Sequence, residues 1–406
     1  MNPRPPSKSD TAETPYEKPA EGANPHAPYY PALTGLRGIA VLAVFFGHYA
    51  GFRPGWMGVD IFFVLSGFLI TGILYDARNN RYRFRNFYIR RTLRIFPAYY
   101  AFWLMLLVLT PLLHIAWQPI NLLWPLYLGN WIHLFSAAPN NQLLAYPLQR
   151  IVNGIPHATI LYTGHFWTLC IEEQFYLIWP LVVFTLRKKT VLRLCAITIV
   201  VSPLVRIALG HLLSPIHFTA ASTTTFLRLD GFLLGGFAAL ALRGTMAEHI
   251  RTAAPYLFWA SATGLASAAL YYRYIHEMQA NPVDTLSWIM SFGITLVNFM
   301  ALGTILMCLN QRAWISKFMS VGPLRALGKI SYGFYIFHDP PHAAYAHAIM
   351  AAHLSPKGLG LLIPFTGTLL CALASYYLIE RPFLNLKTRF EYDEQPQNTD
   401  HRGTVA

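Results

Sequence analysis

Two ionisable residues inside the first apolar run have a spacing that could do chemistry: Arg37 and His48. Eleven helical residues turn through about 1100°, three turns and roughly 20° more, so both side chains share one face. They lie about 16 Å apart along the helix axis, at 1.5 Å per residue. A cation at the inner mouth of a membrane helix and an imidazole deep within it suit a long ligand with an anionic head. The alternative is a snorkelling arginine and a core histidine bonded to a neighbouring carbonyl. A second run, His165–Phe166–Trp167–Thr168–Leu169–Cys170–Ile171–Glu172–Glu173–Gln174–Phe175–Tyr176, carries Glu172. Counted from the outer helix ends, Glu172 and His48 lie about seven and five residues deep, which agrees to about 3 Å. A histidine with a carboxylate at matched depth is what a general base needs, the carboxylate fixing the tautomer and stabilising the imidazolium. The alternative is a structural carboxylate paired with Arg228 or Arg206.

A third signal is Arg91 and Arg94, three residues apart on a helix before Pro97. They share a face and could grip phosphates in bidentate fashion. For Arg78, Arg81, Arg83 and Arg85 the preferred reading is chain orientation alone. Asp60, Arg228 and Asp230 lie near the outer ends of the second and sixth runs, where they could bind acceptor hydroxyls or form a structural ion pair. His338, beside Asp339, could line a cavity, although a core histidine is the preferred reading. Ser66 lacks the G-x-S-x-G context of a nucleophile. No P-loop, H-E-x-x-H or dinucleotide fingerprint is present. The four cysteines, Cys170, Cys195, Cys308 and Cys371, show no C-x-x-C spacing, so neither a metal site nor a disulfide framework is expected.

These residues need elements to hold them, and the composition names the kind. Hydrophobic residues make up 54% of the 406-residue chain and charged residues 12%, against about 25% charged in soluble domains. An all-α, polytopic membrane bundle is expected. Apolar runs long enough to span fall at 33–52, 57–75, 96–115, 165–186, 191–212, 227–243, 254–272, 286–308, 330–350 and 358–379, about ten helices. The stretch 116–164, interrupted by Pro125 and Asn130, reads as a re-entrant or surface-lying segment, since irregular backbone at membrane depth must be covered by protein. Residues 1–29 read as a disordered cytoplasmic tail without the apolar core of a signal peptide. A membrane domain follows over 30–382, and then a C-terminal cytoplasmic tail over 383–406. With both termini inside, 25 of the 31 Lys and Arg fall on cytoplasmic segments, as the positive-inside rule requires. The net charge of +13 is thereby explained without nucleic acid.

The motifs together resemble the acyltransferase-3 family of integral membrane acyltransferases. Pro31–Ala32–Leu33–Thr34–Gly35–Leu36–Arg37 followed by His48 is similar to its Arg, ten residues, His pattern, and Gly58–Val59–Asp60 through Leu69–Ile70 to its second helix. Arg91 and Arg94 match its Arg-x-x-Arg element. Trp167 to Tyr176 matches its W-S-L-x-x-E-x-x-F-Y element with Thr168 in place of serine. Arg228–Leu229–Asp230 and Ile330 through His338 also resemble it, so that the likeness runs from about residue 30 to Pro382.

The resemblance implies transfer of an acyl group, commonly acetyl, from cytoplasmic acyl-coenzyme A (a co-substrate, with no cofactor held permanently) to a hydroxyl of a carbohydrate or glycolipid. His48 would be the catalytic histidine and Glu172 its motif carboxylate, with Arg37, Arg91 and Arg94 on the coenzyme A side. A multi-pass protein of the cytoplasmic membrane is expected, of the type without an appended esterase-like domain. The rival class is a glycoconjugate transporter or flippase, since carriers also place charges in their spans. The chain lacks the paired broken helices of an inverted repeat, which weighs against it.

Overall fold

The computed structural model describes residues 30–132, 149–152, 155–157, 161–213, 221–278 and 292–390. The expected tails at 1–29 and beyond 390 lie outside these residues, as do 286–291 of the eighth span. The main helices are α1 (Pro31–Tyr49), α2 (Met57–Asp76), α3 (Arg83–Val108), α4 (Trp167–Thr185), α5 (Lys188–Leu212), α6 (Leu229–Ala241), α7 (Ala247–Met278) and α8 (Ile294–Cys308). They are followed by α9 (Trp314–Met319), α10 (Gly322–Lys329), α11 (Ser331–His338), α12 (His342–Ala351) and α13 (Leu362–Ala374). Four helical stretches, Pro31–Tyr49, Arg53–Asp76, Lys188–Leu212 and Leu359–Phe390, are long and apolar enough to cross a membrane. Large apolar side chains point outward from them and their neighbours, Val108 and Leu177 among them, as a lipid-facing surface requires. The protein is a multi-pass helical membrane protein.

Several expected spans have different bounds. Helix α3 begins at Arg83, well before the expected 96, and continues through Pro97. The run 330–350 is two helices, not one. Pro340 and Pro341 have no N–H to give to the preceding turn, so α11 ends at His338 and α12 starts at His342. After α13 the chain makes a π-helical turn, Ser375–Glu380, before a last short helix, Arg381–Leu386. Arg90 then donates to the carbonyls of Lys387 and Phe390, fastening the start of the expected C-terminal tail to α3.

The 116–164 stretch is irregular where it is described. Strands β1 (Ile115–Ala116), β2 (Gln149–Val152) and β3 (Ile155–His157) make a small antiparallel sheet, with Arg150 opposite both Ile115 and His157. Trp124, Tyr127 and Asn130 of this stretch are buried against α3 and α4. Tyr99 donates to the Trp124 carbonyl at 2.6 Å and Gln174 to the Tyr127 carbonyl at 2.7 Å, while Trp124 is fully buried. Side chains thus satisfy backbone groups that no regular element satisfies.

Close backbone approach fixes the central helix pair. A Cβ on Gly67 of α2 would strike the Phe232 carbonyl of α6, and one on Gly235 of α6 would strike the Val64 carbonyl of α2. Small residues let two helices approach this closely where dispersion, not water exclusion, must hold them together. Buried ion pairs add direction at one end of this pair. Arg206 of α5 is bidentate to Asp230 of α6 at 2.9 and 2.6 Å and also reaches Thr295. Arg228 donates to Asp60 of α2 at 2.9 Å and to the Ser222 carbonyl at 2.8 Å, and lies 5.2 Å over the Trp167 ring.

Removing one member of a buried pair strands the other charge, at a cost of about 3–5 kcal/mol. Asp230→Ala is therefore expected to lower the unfolding midpoint in detergent strongly, and the double variant Asp230→Leu with Arg206→Met to recover most of the loss. Thermal unfolding of the single and double variants checks this.

Candidate functional site

One face of α2 lines a cavity of about 120 Å³ with Val59, Phe62, Ser66, Leu69 and Ile73, the three- and four-residue spacing of a helical stripe. The stripe runs over fifteen residues, fourteen steps of 1.5 Å or about 21 Å of helix. Ile73, the lining residue nearest the C-terminal end of α2, is 46% exposed. The opposite walls are charged. Arg37 comes from α1, Arg91 and Arg94 from α3, and Glu172 and Tyr176 from α4. Arg37 donates to Ser331 Oγ at 3.3 Å, and the Arg91 guanidinium stacks 3.6 Å over the Tyr176 ring. Tyr176 and Ser66 share a hydroxyl–hydroxyl hydrogen bond. Arg91, Arg37 and Arg94 are near enough to interact electrostatically with Glu172. A second carboxylate, Glu380 of the π turn, also acts on Arg94 and Arg37 and accepts from Ser375 at 2.9 Å. Three guanidinium groups converge on one apolar-floored chamber, and Arg91 Nε has no hydrogen-bond partner among the described residues. Such a chamber suits a polyanionic ligand with an apolar arm.

Beside it lies a histidine cluster built by the break between α11 and α12. The His338 carbonyl accepts from Tyr49 at 2.6 Å, because the His342 N–H that would serve it in a continuous helix goes to the Asp339 carbonyl instead. Asp339, held in the break, faces three imidazoles: His48 at 3.3 Å, His165 at 3.5 Å and His342 at 3.5 Å. His48 Nδ1 is also 3.1 Å from His338 Nε2, the two rings stacked at 5.0 Å. The His48 side chain is 37% exposed, whereas His165 and His338 are buried.

Thr168 and Tyr335 belong to both regions. They line the cavity, their hydroxyls lie 2.7 Å apart, and Tyr335 donates to the His165 carbonyl at 2.8 Å. The Tyr335 ring is 5.3 Å from that of His165 and 5.2 Å from that of His338. These two side chains form the wall between the arginine chamber and the histidines.

The structure brings Arg37, Arg91, Arg94 and Glu172 together, and places His48 against His338. It does not pair His48 with Glu172. Glu172 sits among the arginines, and the carboxylate at His48 is Asp339. Equal depth along two helices says nothing about which way each face points, and here the faces point to different neighbours. Asp60, Arg228 and Asp230 are committed to the buried ion pairs described above, so Arg206 pairs with Asp230 and Arg228 with Asp60, neither with Glu172. Sequence reasoning missed Asp339, His165, Tyr335 and Glu380. His165 opened the quoted Glu172 run and Asp339 stood next to His338 before two prolines, a helix-breaking signal; Glu380 carried no signal.

A family model described as an acyltransferase domain matches residues 30–381. The O-acetyltransferase OatA of Staphylococcus aureus is 29% identical over 333 residues, covering 77% of this chain and 50% of that protein. The peptidoglycan O-acetyltransferase OatA of Listeria monocytogenes is 28% identical over 332 residues, 77% of this chain and 49% of its own length. The putative peptidoglycan O-acetyltransferase YrhL of Bacillus subtilis is 28% identical over 384 residues, 88% and 55% respectively. The chain spans about half the length of these relatives. No solved structure matches. The chain belongs to the acyltransferase-3 family.

Neutralising Glu172 leaves three guanidinium groups in one chamber with less countercharge. Glu172→Gln is expected to lower the unfolding midpoint and to recover more of it than the wild type does on adding inorganic pyrophosphate. Melting curves of both proteins with and without pyrophosphate measure the difference.

Proposed function

We propose that this member of the acyltransferase-3 family transfers an acyl group, commonly acetyl, from acyl-coenzyme A to a carbohydrate hydroxyl, with a peptidoglycan-type glycan the leading acceptor class. The observation that carries the reading is the wall shared by the arginine chamber and the histidine cluster. It puts the arginine-lined cavity within one side-chain layer of an imidazole held by a carboxylate. The relatives' printed names supply the acceptor class, and the positive-inside distribution supports a donor side facing the cytoplasm, with both termini inside and the protein in the cytoplasmic membrane.

In this reading Arg37, Arg91 and Arg94 hold the phosphates of the donor and the α2 stripe holds its apolar arm. A hydroxyl is a weak nucleophile until a base removes its proton. His48 takes that proton as the oxygen attacks the thioester carbonyl. The C–S bond then breaks with its electron pair on sulfur, and the imidazolium returns the proton to the thiolate. Asp339 stabilises the imidazolium while it exists.

The test is transfer of label from radiolabelled acetyl-coenzyme A to envelope glycans in proteoliposomes. His48→Asn is expected to lower kcat by about 10²–10⁴, the usual worth of a general base. Asp339→Asn should also lower kcat, and the double variant should be little worse than His48→Asn, because residues acting as one unit are not additive. Arg91→Met should raise KM for the donor by about tenfold or more, the loss of a charge-assisted hydrogen bond worth about 1.5–3 kcal/mol. Glycolipid movement across the bilayer without label transfer would assign the protein to the transporter class instead.

A further inference from the structure

We propose that His338 is a positioning residue that fixes the tautomer of His48, so that the lone pair on His48 Nε2 is the one offered to the acceptor. This rests on the acyl-transfer reading for its purpose, but the tautomer itself follows from which atoms can donate. His338 Nδ1 lies 2.7 Å from the Tyr335 carbonyl oxygen. A carbonyl only accepts, so His338 Nδ1 carries the hydrogen. The His338 ring is buried, and the imidazoles that face Asp339 belong to His48, His165 and His342. A buried imidazolium without a carboxylate contact would be costly, so His338 is neutral and its Nε2 is an acceptor.

The atom 3.1 Å from that acceptor is His48 Nδ1, which must therefore be the donor. The same nitrogen lies 3.3 Å from Asp339 Oδ1, and a carboxylate oxygen also only accepts. Two independent neighbours thus require the hydrogen of neutral His48 on Nδ1, which leaves the lone pair on Nε2. Asp339 alone is a weaker constraint, because its oxygens are divided among three imidazoles. His338 serves His48 alone, and its own orientation is anchored by the Tyr335 carbonyl. When Nε2 takes the acceptor proton, the Nδ1 hydrogen stays where it was, so no ring has to turn during the step.

Nuclear magnetic resonance of full-length protein carrying ¹⁵N-histidine, in nanodiscs, reads the tautomer directly. The His48 signals are assigned by their loss in His48→Asn. In wild type, at a pH where His48 is neutral, Nδ1 should show the protonated shift and Nε2 the unprotonated one. His338→Phe keeps a ring but removes the acceptor. It should give a mixture of His48 tautomers and lower kcat by about 10–100-fold with KM for acetyl-coenzyme A unchanged. His338→Gln, whose amide oxygen reaches the position of Nε2, should restore both the tautomer and part of the kcat. Wild-type His48 protonated on Nε2 overturns the proposal. So does a His338→Phe protein that keeps a single Nδ1–H tautomer and full kcat. The spectrum needs no donor or acceptor, so the expected tautomer in a protein without label transfer would sink the acyl-transfer reading and leave the tautomer assignment standing.

Discussion

A charge in an apolar bundle must meet a partner, and the arrangement of this protein follows from where those partners are found. Asp339 is the central case. A carboxylate at that position can persist only if donors surround it, and three imidazoles from α1, the turn before α4 and the start of α12 supply them. The two prolines that follow Asp339 break the helix at that point, and with the His342 N–H turned to the Asp339 carbonyl, the His338 carbonyl accepts from Tyr49. A local break in one helix thereby gathers three separate stretches of chain around one point. The Arg206–Asp230 and Arg228–Asp60 pairs obey the same rule at the junction of α2, α5 and α6. They hold the scaffold, whereas Asp339 holds the group that reacts in the proposed chemistry.

Much of this was legible in the sequence. Apolar runs located helices, and the Arg37, Arg91 and Arg94 spacings foretold faces that the structure turns into one chamber. The break at Pro340 and Pro341 was also readable, since consecutive prolines cannot continue a helix, but the long apolar run around them concealed it. The partner of His48 was not readable. Depth along a helix is a product of residue number and rise, so His48 and Glu172 could be placed at one level. Their neighbours depend on how helices are rotated about their axes, which is set by packing. Gly67 and Gly235 fix that rotation for α2 and α6 by admitting a backbone carbonyl where any side chain would collide. Glu380 was hidden for a different reason: a π turn shifts residues off the helical period on which facing arguments depend.

The two halves of the site differ in how they are made. The arginine chamber uses long side chains over an apolar floor, which tolerate some variation in ligand position. The histidine cluster uses short rings: the Tyr335 carbonyl holds the His338 ring, and the backbone carbonyls of His165 and His338 are fixed by the hydroxyls of Tyr335 and Tyr49. On the proposed function that division matches the demands of each end: grip at one, and fixed geometry at the reacting atoms.

The wall formed by Thr168 and Tyr335 bears on a matter other than catalysis, namely electrical insulation. A protein that opens a charged chamber toward one side of a bilayer risks joining it to the other side as an ion path. Here the Tyr335 hydroxyl hydrogen goes to the His165 carbonyl, and the Thr168 hydroxyl hydrogen then goes to the Tyr335 oxygen. A hydroxyl whose hydrogen is locked onto a carbonyl is a dead end for proton hopping. On the proposed topology the cell could keep its transmembrane voltage across this protein even while an acyl group passes within it.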